Sequence, residues 1–346
     1  MRIVFFVQGE RVPAARARGL AIARALEQDG IACSVRVPHP SVYGDTRLPG
    51  LLARPRWLYL PFAALSRLGQ LRDLRDDDVV FFQRPMVQLP TTVLERLAAR
   101  GRRTVFDFDD AIFEGRGTRK KFPRLIALAD RVVAGNAYLG AAAGAPDKTV
   151  VIPTAVDTGR FSAQPARDAA GAGVVVGWTG LSSNYRQLAI AAPAIARALQ
   201  RTGATFRAIS NAPPPAALDG LRPEFVRWRP ETEVEDLAGI DIGVMPLPDL
   251  PYERGKCAYK LIQHMALART VVASPVGVNR DVVSDGVDGF LPASDTAWED
   301  ALVRLITDAE LRRQMGARAR ARVEATYSLN AVVPLYKRLF QELGPR

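Results

Sequence analysis

The 346-residue chain carries a formal net charge of +11 and is 48% hydrophobic, a balance that suits two soluble domains with a core each. Its two cysteines, Cys33 and Cys257, fall in different expected domains, and its two histidines, His39 and His264, form no His/Cys cluster. That excludes a disulfide-stapled scaffold and a zinc site and fits a reducing cytoplasm.

The first half reads as alternating strands and helices. Met1-Arg2 leads straight into a strand over 2–7, with no cleavable leader. Gly9 follows that strand, where a glycine lets a loop approach a ligand. A helix is expected over 14–28 and a second strand over 32–37. The stretch 51–75 mixes Arg54, Arg56, Arg67, Arg72 and Arg75 with Trp57, Leu58, Tyr59, Leu60 and Phe62. It reads either as a core helix with a charged outer face or as an interfacial segment on anionic lipid. No apolar run is long enough to span a bilayer.

A strand over 78–83 ends at Arg84-Pro85, and one over 103–108 ends at Asp109-Asp110. A carboxylate at the carboxyl end of a strand is a candidate general base or anchor for an acceptor hydroxyl. The alternative is a helix cap. If the strand persisted, Asp107 and Asp109 would share one face and Asp110 the other. A basic cluster follows: Arg116, Arg119, Lys120 and Lys121. Arg84, Arg116 and Lys120, with Gly9, are candidates for the acceptor side. Strands over 131–135 and 149–152 complete a first sheet, and a linker is expected over about 160–172.

The sheet pattern then restarts at 174–177 and continues at 205–209, 226–228, 242–245 and 270–273, with a helix over 185–200 and helical sequence from 308 to 343. This alternation is that of a doubly wound α/β fold. Gly177-Trp178-Thr179-Gly180 is a tight turn between strand and helix, where Gly180 and Asn184 are candidates for phosphate approach. In the loop 251–256, Glu253, Arg254 and Lys256 precede a helix carrying Lys260 and Gln263 one turn apart. A helix start offers free N–H groups to an anion, and a lysine adds charge. The bland reading is a solvated loop.

The segment 255–291, GKCAYKLIQHMALARTVVASPVGVNRDVVSDGVDGFL, resembles the donor-binding core of glycosyltransferase family 4. The resemblance implies the GT-B fold: two Rossmann-like domains, 1–160 for the acceptor and 170–325 for a nucleotide-sugar donor, facing each other across a cleft. A terminal helix, 326–346, would cross back to the first domain. It also implies transfer of a sugar, with retention of configuration, from a nucleotide-diphosphate sugar to a glycan or lipid-linked acceptor, without an essential metal or other cofactor. The family holds sugar and ribose with two glutamates eight positions apart. Gly255 and Gln263 stand at those positions here. Lys260, Arg254 and Lys256 are then expected on the diphosphate, Gln263 on the ribose, and Glu253 in place of the missing sugar-binding acid. His264 is expected to be structural. Without both acids, a non-catalytic nucleotide-sugar-binding protein is the first alternative and a GT-B epimerase the second.

Charge adds one expectation. Residues 1–160 hold a net +9 of the total, which points that half towards an anionic partner unless the arginines merely solvate the surface. No nucleic-acid module is recognisable, so a membrane surface is the expected anion. The location expected is cytoplasmic, with peripheral attachment to the inner face of the membrane.

Overall fold

The computed structural model describes residues 2–41, 56–115, 117–164 and 173–344, apart from the side chains of 56–59. It divides into two compact units, Met1–Ala155 with Gly255–Cys257 and Leu329–Arg346, and Val156–Arg254 with Ala258–Ser328.

Among the described residues, six strands form the first unit's sheet: β1 (Arg2–Phe6), β2 (Cys33–Arg36), β3 (Asp78–Gln83), β4 (Arg103–Phe108), β5 (Arg131–Ala134) and β6 (Thr149–Val151). Their order is β2-β1-β3-β4-β5-β6, and all neighbouring pairs are parallel. The central strands β1 and β3 are apolar on both sides, as a sheet covered on two faces requires. Ile3, Phe5, Val79 and Phe81 face one helical layer, while Val4, Phe6, Val80 and Phe82 face the other. The helix Leu329–Leu343 belongs to the first of these layers and buries Val332, Val333, Tyr336, Leu339, Phe340 and Leu343 there. The chain's last helix is therefore part of its first unit.

The second unit repeats the plan with β7 (Val175–Thr179), β8 (Thr205–Ser210), β9 (Glu224–Arg227), β10 (Ile242–Met245), β11 (Thr270–Ala273) and β12 (Gly289–Phe290), in the order β12-β11-β10-β7-β8-β9. All five pairs of neighbours are parallel. Val176, Trp178, Val244 and Val272 point into one core and Val175, Met245, Val271 and Ala273 into the other. Phe161 is buried in the latter core. The linker expected over 160–172 therefore begins inside the second unit, and residues 165–172 lie outside the described part.

The stretch 56–71 is a helix, Arg56–Leu71, and Ala63 packs into the core that Val4, Phe6, Val80 and Phe82 form on one face of the first sheet. Arg67, counted among the arginines that punctuate this stretch, is not on its charged outer face. Its guanidinium is fully buried, donates to the carbonyls of Val7, Arg36 and Met86, and stands 5.4 Å from the centre of the Phe6 ring. Burial holds its pKa down at about 9. Arg54 and the side chains of Arg56 and Trp57 lie outside the described residues.

Candidate donor and acceptor sites

In the second unit, β7 delivers Trp178 into the core and then turns at Gly180. The short 3-10 turn Ser182–Asn184 leads into the helix Tyr185–Thr202. Ser182 N–H is held by the Asn211 side chain at 2.7 Å, which fixes the loop, and Asn184 is half-buried at its end. Trp178 and Tyr185 pack ring on ring, with centres 5.0 Å apart. The ammonium of Lys260, one residue into the helix Tyr259–Ala266, lies 4.7 Å from the centre of the Trp178 ring. A methyl group at Gly180 would stand 2.5 Å from that ammonium and 2.7 Å from Trp178 Cζ2. Gly180 and Lys260, expected to act together, are thus neighbours at the carboxyl edge of the second sheet. That edge is where open α/β sheets bind ligands.

The other donor-side candidates are placed differently. Gln263 is buried, and its amide donates to Glu233 Oε1 at 3.3 Å. Glu233 also accepts from Trp228 Nε1 and pairs with Arg160 at 3.0 Å. Sequence reading missed Glu233: it is remote in the chain and lies in an ordinary acidic helix start, Glu233–Ala238. Glu253 is turned inward, 3% exposed, and accepts from Gln187 Nε2 at 3.1 Å. It is therefore engaged with the helix Tyr185–Thr202 rather than presented on an open loop. Arg254 holds Asp249 with both ends of its guanidinium, at 2.5 and 3.1 Å, in an exposed pair. That arginine keeps the Asp249 carboxyl below its usual range. The His264 ring is buried against Gly243, and burial holds it neutral with a pKa near 4.

Gly255, Lys256 and Cys257 belong to the first unit. Asn136, which caps the helix Ala137–Ala143, donates its amide to the carbonyls of Gly255 and Lys256 at 3.3 and 3.1 Å. A side chain on Gly255 would begin 2.7 Å from Ala111 Cβ and 2.9 Å from the Ala111 nitrogen. Backbone cannot give way cheaply, so this position has no room for the family's acid. Lys256 is half-buried, and Cys257 is packed against Gly135 with its thiol pKa pushed up by burial.

Gly9, Arg84, Asp109 and Asp110 lie at the carboxyl edge of the first sheet, just beyond β1, β3 and β4. β4 ends at Phe108 and the chain bends, so the strand alternation stops before Asp109. Asp109 and Asp110 consequently meet one cation instead of facing opposite ways. Arg84 donates from Nε to Asp109 at 2.8 Å and from Nη2 to Asp110 at 2.5 Å. Arg84 itself sits at φ 64°, a conformation that costs a non-glycine residue energy and that structures retain where surrounding contacts demand it. Asp107 is separate: it is fully buried and bridged by Arg18 at 2.7 Å. Gly9 is buried just beyond β1, with its carbonyl accepting from Val12 N–H. A small apolar hollow opens beside it, lined by Gln8, Pro38, Leu60, Ala63, Met86 and Val87 among others. Lys120 is exposed, and Arg116 lies outside the described residues. Lys121 leaves the proposed basic cluster, because it is fully buried in an ion pair with Glu95 at 2.7 Å.

Comparison with known proteins defines the class. Solved structures similar over almost the whole chain include Anabaena Alr3699/HepE in complex with UDP and glucose, with a TM-score of 0.70 and 18% identity over 99% of each chain. Sucrose-phosphate synthase from Thermosynechococcus elongatus gives a TM-score of 0.68 at 16% identity, covering 99% of this chain and 98% of that one. The S. aureus TarM G117R mutant, solved with UDP and alpha-GlcNAc-glycerol among its ligands, gives 0.59 at 13% identity over 81% of this chain and 59% of its own. The fold is GT-B.

Residues 173–308, within the second unit, match the family model described as glycosyl transferases group 1. An uncharacterised glycosyltransferase of Methanocaldococcus jannaschii, MJ1069, is 29% identical over 94 residues, which are 27% of this chain. The match spans about a quarter (24%) of that relative's length.

Proposed function

We propose that the chain transfers a sugar from a nucleotide-diphosphate sugar to a hydroxyl of a glycan or lipid-linked glycan, in cell-envelope polysaccharide synthesis on the cytoplasmic side of a membrane. The observation that carries this reading is Lys260 beside Gly180 at the carboxyl edge of the second sheet, inside the matched domain. An ammonium there neutralises the diphosphate as it leaves, which lowers the barrier electrostatically. Arg254 is a second cation for that charge. Its pair with Asp249 is exposed and therefore weak enough to exchange for a phosphate. Asp109 and Asp110 engage the acceptor hydroxyl, with Arg84 fixing their positions. Neither a metal nor a further cofactor enters the proposal. Solved relatives bound to UDP and UDP-glucose favour a uridine donor as the first to test.

One observation favours a second reading, nucleotide-sugar binding without transfer: the steric closure of position 255 against Ala111. Calorimetry with UDP, followed by a transfer and hydrolysis assay over a panel of UDP-sugars, separates the two. Binding with turnover supports the transferase. Binding without turnover on any donor supports the second reading, and absence of UDP binding overturns the uridine donor.

A further inference from the structure

We propose that the outer face of three helices in the first unit, Arg56–Leu71, Val93–Ala99 and Phe122–Leu128, docks on an anionic lipid bilayer. The proposal gives a place to the membrane partner of the preceding reading, but the face is defined without it. The helices lie side by side: Ala63, Leu94, Ala98, Phe122, Leu125 and Ile126 share one core beneath them. Their other sides are unusual. Phe62, Leu65 and Leu68 are 56%, 63% and 42% exposed at steps of three, and Val93 and Leu97 are 54% and 44% exposed at a step of four. Such spacing makes one stripe per helix. Single exposed apolar residues are ordinary, but five on two packed helices form a patch.

Cations surround this patch. Arg96 and Arg100 extend the second stripe, Arg124 lies on the third helix, Arg119 and Lys120 precede it, and Arg72 follows the first. All six are exposed, and none of them forms an ion pair among the described residues. The three helices contain a single acid, Glu95, which is buried against Lys121. Of the exposed acids that flank the helices in the chain, Asp73 and Asp76 are paired with Arg36 and Arg102, and Asp77 and Glu114 are two against the six cations.

Charge selects the occupant. A second copy seated face to face would set these cations against themselves. Single-stranded nucleic acid would call for stacking rings, and the described part of the face offers only Phe62. An anionic bilayer satisfies both features, since apolar side chains enter the headgroup–acyl boundary while arginines meet phosphates. The same first helix turns Leu60 and Ala63 towards the hollow beside Gln8, so the bilayer face adjoins the acceptor edge of the sheet.

Flotation of the full chain with vesicles of phosphatidylcholine, alone or mixed with phosphatidylglycerol, tests this. The chain is expected to float with the anionic vesicles, not with the neutral ones, and to be released by salt. Arg96→Ala with Arg100→Ala should lower the partition coefficient about 25-fold, because ~1 kcal/mol per cation near the surface is about fivefold each. Phe62→Ser with Leu65→Ser should lower it about tenfold or more with little change in Tm, since both residues are exposed. If the serine pair destabilises the fold, the arginine pair decides alone. No flotation, equal flotation on neutral vesicles, or variants that float like the parent would each overturn the proposal. So would a dimer that the same variants dissociate in sedimentation velocity without any vesicle binding. UDP titration of the same samples keeps the questions apart: loss of UDP binding with flotation intact counts against the donor reading only.

Discussion

The ammonium of Lys260 lies over the ring of Trp178, 4.7 Å from its centre, with Gly180 supplying the space that a methyl group would fill. Trp178 is buried, so the ring is a fixed floor, and the cation on it is oriented before any ligand arrives. Two sequence features 80 residues apart, a glycine turn and a helix start, thereby become one anion-facing arrangement.

Lys260→Ala is expected to weaken UDP binding by roughly 1.5–3 kcal/mol, the range for a charge-assisted hydrogen bond to phosphate. Lys260→Arg should retain much of the affinity, whereas Lys260→Met, which keeps the apolar stem over Trp178, should not. Calorimetry showing the parental affinity for the alanine variant would remove Lys260 from the donor site.

Asp109→Asn and Asp110→Asn are expected to leave UDP affinity unchanged, and the one that holds the acceptor hydroxyl should lower kcat by about 100-fold or more. Arg84→Ala should impair both carboxylates at once, because it deletes the cation they share. Parental turnover in both asparagine variants would show that the acceptor is handled elsewhere.

The fold was legible because buried parallel strands leave long apolar runs, and these recur at the spacing of a β–α alternation. Gly180 and Lys260 were legible for a local reason: each belongs to a short loop-to-helix pattern. The tertiary pairings were not. Arg18, Arg67 and Lys121 look like solvated charges in sequence, yet each is buried on a partner that only the fold supplies. Glu233 was hidden for the same reason, since nothing near Gln263 in the chain announces a carboxylate. Asp109 and Asp110 were named as candidates, but that both meet Arg84 was not legible, because it depends on the strand stopping at Phe108 and a strand's end cannot be fixed to one residue from its composition.

His264 gives a pH prediction. Burial lowers its pKa to about 4, against about 6.5 for an unfolded histidine. A depressed pKa means that the unfolded chain takes up the proton first, so this contribution to stability is present above about pH 6.5 and is lost as pH falls towards 4. At pH 5 the loss should be on the order of 2 kcal/mol, at 1.36 kcal/mol per pH unit below the unfolded value. Urea unfolding at pH 7 and pH 5 checks it: the difference between the two should shrink in His264→Leu. An unchanged difference would place the acid sensitivity in other groups.

Reinstating the family's acids should fail at both positions for different reasons. Gly255→Glu must push against the backbone of Ala111, and overpacking of this kind costs about 1–3 kcal/mol, visible as a lower Tm. Gln263→Glu has room, but it turns the 3.3 Å hydrogen bond to Glu233 into a contact between two carboxylates. Glu233 keeps Arg160 as its partner, so the added charge is left facing an acid that is already satisfied. A stability loss of about 1–3 kcal/mol is expected, with weaker UDP binding if this pair shapes the nucleoside end of the site. Adding Glu233→Gln exchanges the two groups and should restore most of the loss, giving a favourable coupling of about 1 kcal/mol or more in a double-mutant cycle. If the two changes simply add, Gln263 and Glu233 do not act as a pair, and the missing acid at position 263 has another cause.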